Sequence, residues 1–261
     1  MPHISEALVE FARHHRMPPA PGIDVIETPR YRITLQPDLP IPGPNSISWI
    51  RCRPGEADEV IAEARATVAQ RHLAVMWVLD PETQPADFVD HLARHGIGFD
   101  SQVDVMVLPI DAEVSVPKVE GLDMRDALAD PVTFRTADDI NCEAFRSTAA
   151  SDEARERRRI SQLAAGNRRV LLATLDGEPA GTAGISFFPP AGAIITGGAV
   201  RPKFRGRGIY RGMVAARLQL ARRAGVSGLA VWGGDMSAPI LSRLGFQKVG
   251  WRRFYLDVFT A

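Results

Sequence analysis

Between Val200 and Arg211 the chain reads Val-Arg-Pro-Lys-Phe-Arg-Gly-Arg-Gly-Ile-Tyr-Arg, closing an apolar run and opening an amphipathic one. Gly206 and Gly208 have no side chains, so the backbone there can turn sharply and present successive N–H groups. At the positive end of a helix such a turn is a site for phosphate. Arg201, Lys203, Arg205, Arg207 and Arg211 place five positive charges in eleven residues. Cations at a helix N-terminus oppose its dipole, and a bound anion would offset them. Arg205, Gly206, Arg207, Gly208, Ile209, Tyr210 and Arg211 are therefore expected to hold a phosphate-bearing ligand. No Gly-Lys-Ser/Thr follows, so this is not a P-loop. The three-glycine spacing of a dinucleotide fingerprint is missing as well. An RNA-binding reading of Arg-Gly-Arg-Gly lacks the interleaved aromatic residues that base stacking requires.

The elements that must position this turn can be read on both sides of it. Asp176-Gly177 predicts a tight hairpin between strands 169–175 and 181–188, and 193–200 forms the next strand. A helix over 208–224, a strand over 228–232, a helix over 237–244 and closing strands over 246–259 follow. Before them, the segment beginning with Thr133 to Arg135 leads into a helical region broken near 147–151 and ending near Gly166. The earlier half offers a short amphipathic segment (4–15), a proline-rich arm with a strand at 31–35, and a strand at 46–52. It continues with a helix at 56–70, a strand at 73–78, a helix at 85–95 and a strand at 103–108. Nine of the twenty prolines lie between Pro2 and Pro44. Periodicity fades from Ile110 to Pro131, which places a domain boundary near 125 and predicts two similar-sized domains, 1–125 and 126–261. The class is α/β with a mixed sheet, antiparallel hairpins followed by β-α-β-α-β.

The halves share a pattern. Leu73-Ala74-Val75-Met76-Trp77, a helix and His95-Gly96-Ile97 parallel Leu229-Ala230-Val231-Trp232, a helix and Leu244-Gly245-Phe246. At the place matching the basic turn, the first half reads Pro54-Gly55-Glu56-Ala57-Asp58-Glu59, whose acidic residues suit a helix start and repel phosphate. Only the second half is expected to bind the anion.

Composition narrows the classes. With 261 residues, thirty-one basic and thirty-one acidic side chains and 45% hydrophobic residues, the chain can bury a substantial core. Zero net charge argues against a whole-protein footprint for nucleic acid or anionic membrane. Cys52 and Cys142 are too few for a disulfide scaffold and are not spaced as metal ligands, so no metal is expected. The start has no secretory signal pattern, which makes a cytoplasmic location the expectation. The uncharged run from Pro179 to Val200 is long enough to span a bilayer, but Pro189-Pro190 and the surrounding glycines and alanines fit two strands and a turn instead.

From these residues the second half resembles the GCN5-related N-acetyltransferase superfamily, over roughly 130–261. Val200-Arg201-Pro202 and Arg205-Gly206-Arg207-Gly208 fit its pattern of Val-x-Pro followed by Arg/Gln-x-x-Gly-x-Gly/Ala, with Tyr210 where a small residue is usual. Gly234 and Leu241 stand where that family commonly has an asparagine and a tyrosine, the latter protonating the departing thiolate. The first half is similar to the degenerate acetyltransferase-like domain fused before an active one in some bacterial proteins. The resemblance implies a tandem acyl-CoA N-acyltransferase-like fold and acetyl-CoA as co-substrate. It implies the pantetheine arm on the backbone of Gly198, Ala199 and Val200, with a Val200 N–H as oxyanion donor. The paired glycines Gly197-Gly198 read either as a β-bulge or as room for the thioester arm. All six histidines lie at or before His95, so within the second half the base must be another group. Asp235, at the end of its strand, and Glu143, on the helical region facing substrate, are the candidates; Tyr210 and Ser242 are candidate acids. The acceptor is expected to be a small-molecule or peptide amine, and the protein a monomer or homodimer. The competing reading is an acetyl-CoA-binding regulatory protein without turnover, suggested by Leu241, Gly234 and Tyr210 together.

Overall fold

A computed structural model of the chain describes residues 4–116 and 118–258. Its elements run α1 (Glu6–His14), β1 (Asp24–Glu27), β2 (Arg32–Leu35), β3 (Ser46–Ser48), α2 (Ala57–Ala69), β4 (Val75–Leu79), α3 (Phe88–Arg94) and β5 (Gly98–Pro109). They continue with β6 (Leu122–Asp126), α4 (Pro131–Phe145), α5 (Asp152–Ala165), β7 (Arg168–Leu175), β8 (Glu178–Phe188), β9 (Gly192–Val200), α6 (Ile209–Arg223), β10 (Gly228–Gly233), α7 (Ala238–Arg243) and β11 (Gln247–Asp257). Among the described residues, no helix is long and apolar enough to cross a membrane. The uncharged run from Pro179 to Val200 forms β8, a turn and β9. Asp176 and Gly177 both take positive φ, as a two-residue hairpin turn requires.

Four points differ from the sequence reading. The strand expected at 46–52 stops at Ser48, because Trp49 takes φ 58°. Thr133 to Arg135 lie in the first turns of α4, which Asp130 caps through its carboxylate to the Thr133 N–H. The region around 125, expected to hold a domain boundary, contains β6, paired with β7 from Leu122↔Leu175 to Asp126↔Leu171. Of the closing strands expected to Phe259, β11 ends at Asp257, and Phe259 lies outside the described residues.

The chain divides into two compact units, and neither is a simple half. One joins the residues up to Arg16 to Asp104–Val249; the other joins Met17–Val103 to the chain from Gly250 on. This division departs from a linear cut at 125, for a reason of strand pairing. β5 follows α3 yet pairs antiparallel with β10 over residues 104–109, and β11 follows α7 yet pairs antiparallel with β4 over residues 253–257. Each half of the sequence thus supplies the terminal strand of the other's sheet.

Inside each unit the same plan recurs. β2 is antiparallel to β3, β3 is parallel to β4, and α2 links that parallel pair. β8 is antiparallel to β9, β9 is parallel to β10, and α6 links them. In the first of these sheets Trp77, Phe88, Ile61 and Tyr255 lie in one buried cluster. Trp77 Nε1 donates to the buried Asp257 carboxylate at 3.0 Å, and Arg65 donates to both of its oxygens at 2.8 Å. In the other unit, Val214, Leu218, Leu229, Val231 and Leu241 form the core on one sheet face. Leu8 and Phe11 of α1 cover Val107 and Ala230 on the opposite face.

Candidate active site

β9 and β10 share only the register pairs Leu229↔Ala193 and Ala230↔Ile194. Beyond them, β9 runs on against β8 to Val200↔Gly181, while β10 runs on against β5 to Gly233↔Asp104. The two parallel strands therefore part, leaving a wedge whose walls are the free edges of residues 196–200 and 231–233. Arg201 N–H donates to Ala180 O at 2.9 Å. Because successive residues of an antiparallel strand point to alternate edges, the Val200 N–H faces the wedge. The carbonyl of Val200 accepts from Arg205 Nε at 3.2 Å.

A bulge lies on this free edge. Thr182 opposes Ala199 and Gly184 opposes Thr196, so Gly197 and Gly198 together face the single residue Ala183. Gly197 takes φ 58°. A Cβ on Gly198 would come within 2.9 Å of the Tyr210 ring, so the absent side chain there makes room for that ring. Beside Gly197, Asn141 Oδ1 is buried and lacks a hydrogen-bond partner.

The basic turn closes one end of the wedge. Gly206 and Gly208 take φ 79° and 83°, and Gly208 stands at the N-cap of α6, where no side chain caps the helix. The expected cations separate into two sets. Arg201 donates to both oxygens of Glu143 at 2.9 and 2.7 Å, and Lys203 pairs with Glu178. Among the described residues, Arg205, Arg207 and Arg211 have no carboxylate within ion-pair distance, and Arg205 and Arg207 are exposed. The first unit to be read in sequence treats its acidic turn differently. Glu56 pairs with Arg53, Glu59 with Arg30, and Asp58 with His91 and His95. Those carboxylates have cationic partners within their own unit, Arg53, Arg30 and, at 3.9 Å from Asp58, Arg94, whereas Arg205, Arg207 and Arg211 have no carboxylate partner among the described residues.

The departure at Tyr210 resolves geometrically. Its ring turns inward against Gly198, away from the exposed turn, and its hydroxyl faces Arg217 and Ser237. Burial raises the phenol pKa, and the Arg217 charge partly opposes that rise. Arg217 is itself buried; it donates to the Met213 and Gly184 carbonyls, its Nη2 lacks a partner, and burial holds its pKa down to about 10.

Glu143 is tied to Arg201, which holds its pKa below the usual carboxylate range. Asp235 is exposed in the turn after β10. Ser242 is exposed on α7, and Leu241 is wholly buried in the core. Cys142 is half-buried on α4. Sequence reasoning missed Arg217, which lies within an otherwise well-patterned helix, and the Glu143–Arg201 pair, whose partners are 58 residues apart.

Residues 134–246 match the family described as the acetyltransferase (GNAT) family. No curated protein matches the chain by sequence. Among solved structures, a GCN5-related N-acetyltransferase from Kribbella flavida is similar, with TM-score 0.68 at 17% identity over 90% of both chains. A tandem GNAT protein from the clavulanic acid biosynthesis pathway aligns with TM-score 0.60 at 17% identity, over 96% of this chain and 87% of its own. A GCN5-related N-acetyltransferase from Sphaerobacter thermophilus aligns with TM-score 0.63 at 17% identity, over 87% of this chain and 80% of its own. At these identities the likeness is one of fold, and the fold is that of the tandem acyltransferases.

Proposed function

Because residues 134–246 match the acetyltransferase (GNAT) family, we propose that the unit containing them transfers an acetyl group from acetyl-CoA to an amine. The observation that carries this reading is the wedge with its uncompensated cations at one end. The donor set fits the coenzyme: the uncapped first turn of α6 and the side chains of Arg205, Arg207 and Arg211 would take the pyrophosphate. The free edge of β9 at Gly198, Ala199 and Val200 would pair with the amide-bearing arm. Its thioester supplies an activated acyl group, so the chain's main tasks are to orient the amine and to stabilise developing charge.

Each residue then has a task. The Val200 N–H, free on the wedge edge, donates to the carbonyl oxygen as negative charge builds there. Asp235 takes the proton of the attacking amine, since Glu143 is committed to Arg201. Tyr210 returns a proton to the departing sulfur, replacing the hydroxyl that Leu241 cannot offer. Arg217 beneath it stabilises the phenolate left behind, which keeps a buried tyrosine usable as an acid.

Tyr210→Phe tests this assignment, because it keeps the ring on Gly198 and removes only the proton. Turnover, followed as free thiol released with an amine panel, is expected to fall by about 100-fold or more, with acetyl-CoA affinity close to that of the parent. An unchanged rate would remove Tyr210 from the mechanism.

A further inference from the structure

Arg168, at the start of β7, is a cation without a counter-ion. Its Nη1 donates to Ser186 Oγ at 2.9 Å, its Nη2 to Thr196 Oγ1 at 3.2 Å and its Nε to Gln162 Oε1 at 3.2 Å. All three acceptors are neutral. Among the described residues, no carboxylate lies within ion-pair distance of it. Burial lowers its pKa to about 10, and the like charge of Arg158 adds to that shift. A half-buried guanidinium ordinarily takes a carboxylate partner, as Arg155 and Arg158 on the neighbouring helix take Asp138. Arg168 has been given none.

Gly184 sits under the guanidinium, where a Cβ would approach Arg168 Nη2 to 2.7 Å and Thr196 Oγ1 to 2.8 Å. Ser186 and Thr196, having accepted from Arg168, keep their own hydroxyl protons to donate. Strand register places the cluster on one face. Arg168 pairs with Ser186, Ser186 with Ile194, and Ile194 with Ala230. Thr196 and Trp232, two residues beyond Ile194 and Ala230, share that face. α1 covers the Ala230 part of it, and Leu172 and Ala199 pack with α4 on another part. Thr196 is exposed and Trp232 is half exposed. Thr196 directly precedes the Gly197–Gly198 bulge, where Asn141 Oδ1 waits without a donor.

We propose that the acceptor is an amine carrying a carboxylate, which Arg168 holds together with the Ser186 and Thr196 hydroxyls while Asn141 accepts from its amino group. One unmatched positive charge suits one singly charged, planar oxyanion, and the guanidinium has N–H groups left to meet it. The proposal rests on the acetyltransferase reading of the same unit.

The probes are unbranched amino carboxylates of graded chain length, each paired with its primary amide. With acetyl-CoA and the intact chain, at least one carboxylate is expected to exceed its amide about tenfold in kcat/KM, about 1.4 kcal/mol. In Arg168→Gln the ratio should collapse toward one, through KM for the carboxylate, with acetyl-CoA affinity unchanged. Thr196→Val, which leaves the guanidinium in place, should reduce the ratio partially and covers the case of a poorly folding Arg168 variant. Equal use of carboxylates and amides by the intact chain, or a ratio that survives Arg168→Gln, overturns the proposal. A calorimetric titration of the preferred carboxylate without coenzyme separates the two readings. Carboxylate binding lost in Arg168→Gln supports this site even in a chain that fails to bind acetyl-CoA, a failure that would count against the acetyltransferase reading alone.

Discussion

Cut between residues 125 and 126, the chain is expected to give two fragments that do not fold when made separately. Fragment 1–125 loses β11, the antiparallel partner of β4. With it goes Asp257, which receives the Trp77 N–H and both Arg65 donors. Losing one partner of such a buried polar network costs about 3–5 kcal/mol, a large share of the roughly 5–15 kcal/mol that stabilises a domain. Fragment 126–261 loses more. β10 is stripped of β5, β7 of nearly all of β6, and the sheet of the α1 cover formed by Leu8 and Phe11. Exposed strand edges of this kind favour aggregation. Circular dichroism and thermal melts of each fragment should show no cooperative transition, and co-expression should restore one. A fragment that melts cooperatively alone would show that the exchanged strands are dispensable.

Gly208→Val is expected to weaken acetyl-CoA binding on the order of 100-fold, about 2.8 kcal/mol. Gly208 holds φ 83° at the N-cap of α6. A β-branched residue is a genuine outlier in that region, so the turn must rearrange and its amides lose their common direction. Asparagine tolerates the left-handed conformation, so Gly208→Asn should keep most of the affinity. The pair of variants separates backbone geometry from bulk: equal losses in both would place the effect in steric blockage.

How much of this was legible beforehand depended on whether the cause was local. The glycine-arginine turn, the Asp176-Gly177 hairpin and the order of elements around the wedge follow from residues near one another, and the structure places them as read. The exchange of β5 and β11 has no local signal, because a strand's sequence shows which faces are apolar and says little about which edge it will meet. β6 was hidden for a related reason. It is a short strand paired with β7, and Leu122, Met124 and Asp126 are only half-buried. The inward turn of Tyr210 depends on Gly198, twelve residues earlier, a contact that no local pattern announces. Arg168 lies one residue before the strand read over 169–175 and carries no local signal; its set of neutral partners distinguishes it. The two candidate bases looked equivalent until the partner of Glu143 was known to be Arg201.

Coenzyme binding by the glycine-arginine turn is measured most directly by a calorimetric titration of acetyl-CoA. The intact chain should bind with saturable heat, at one site per chain. Arg205→Ala combined with Arg207→Ala should bind at least about tenfold more weakly, with the melting transition of the free protein unchanged, since both side chains are exposed. No binding by the intact chain, or equal affinity in the double variant, would contradict the assignment.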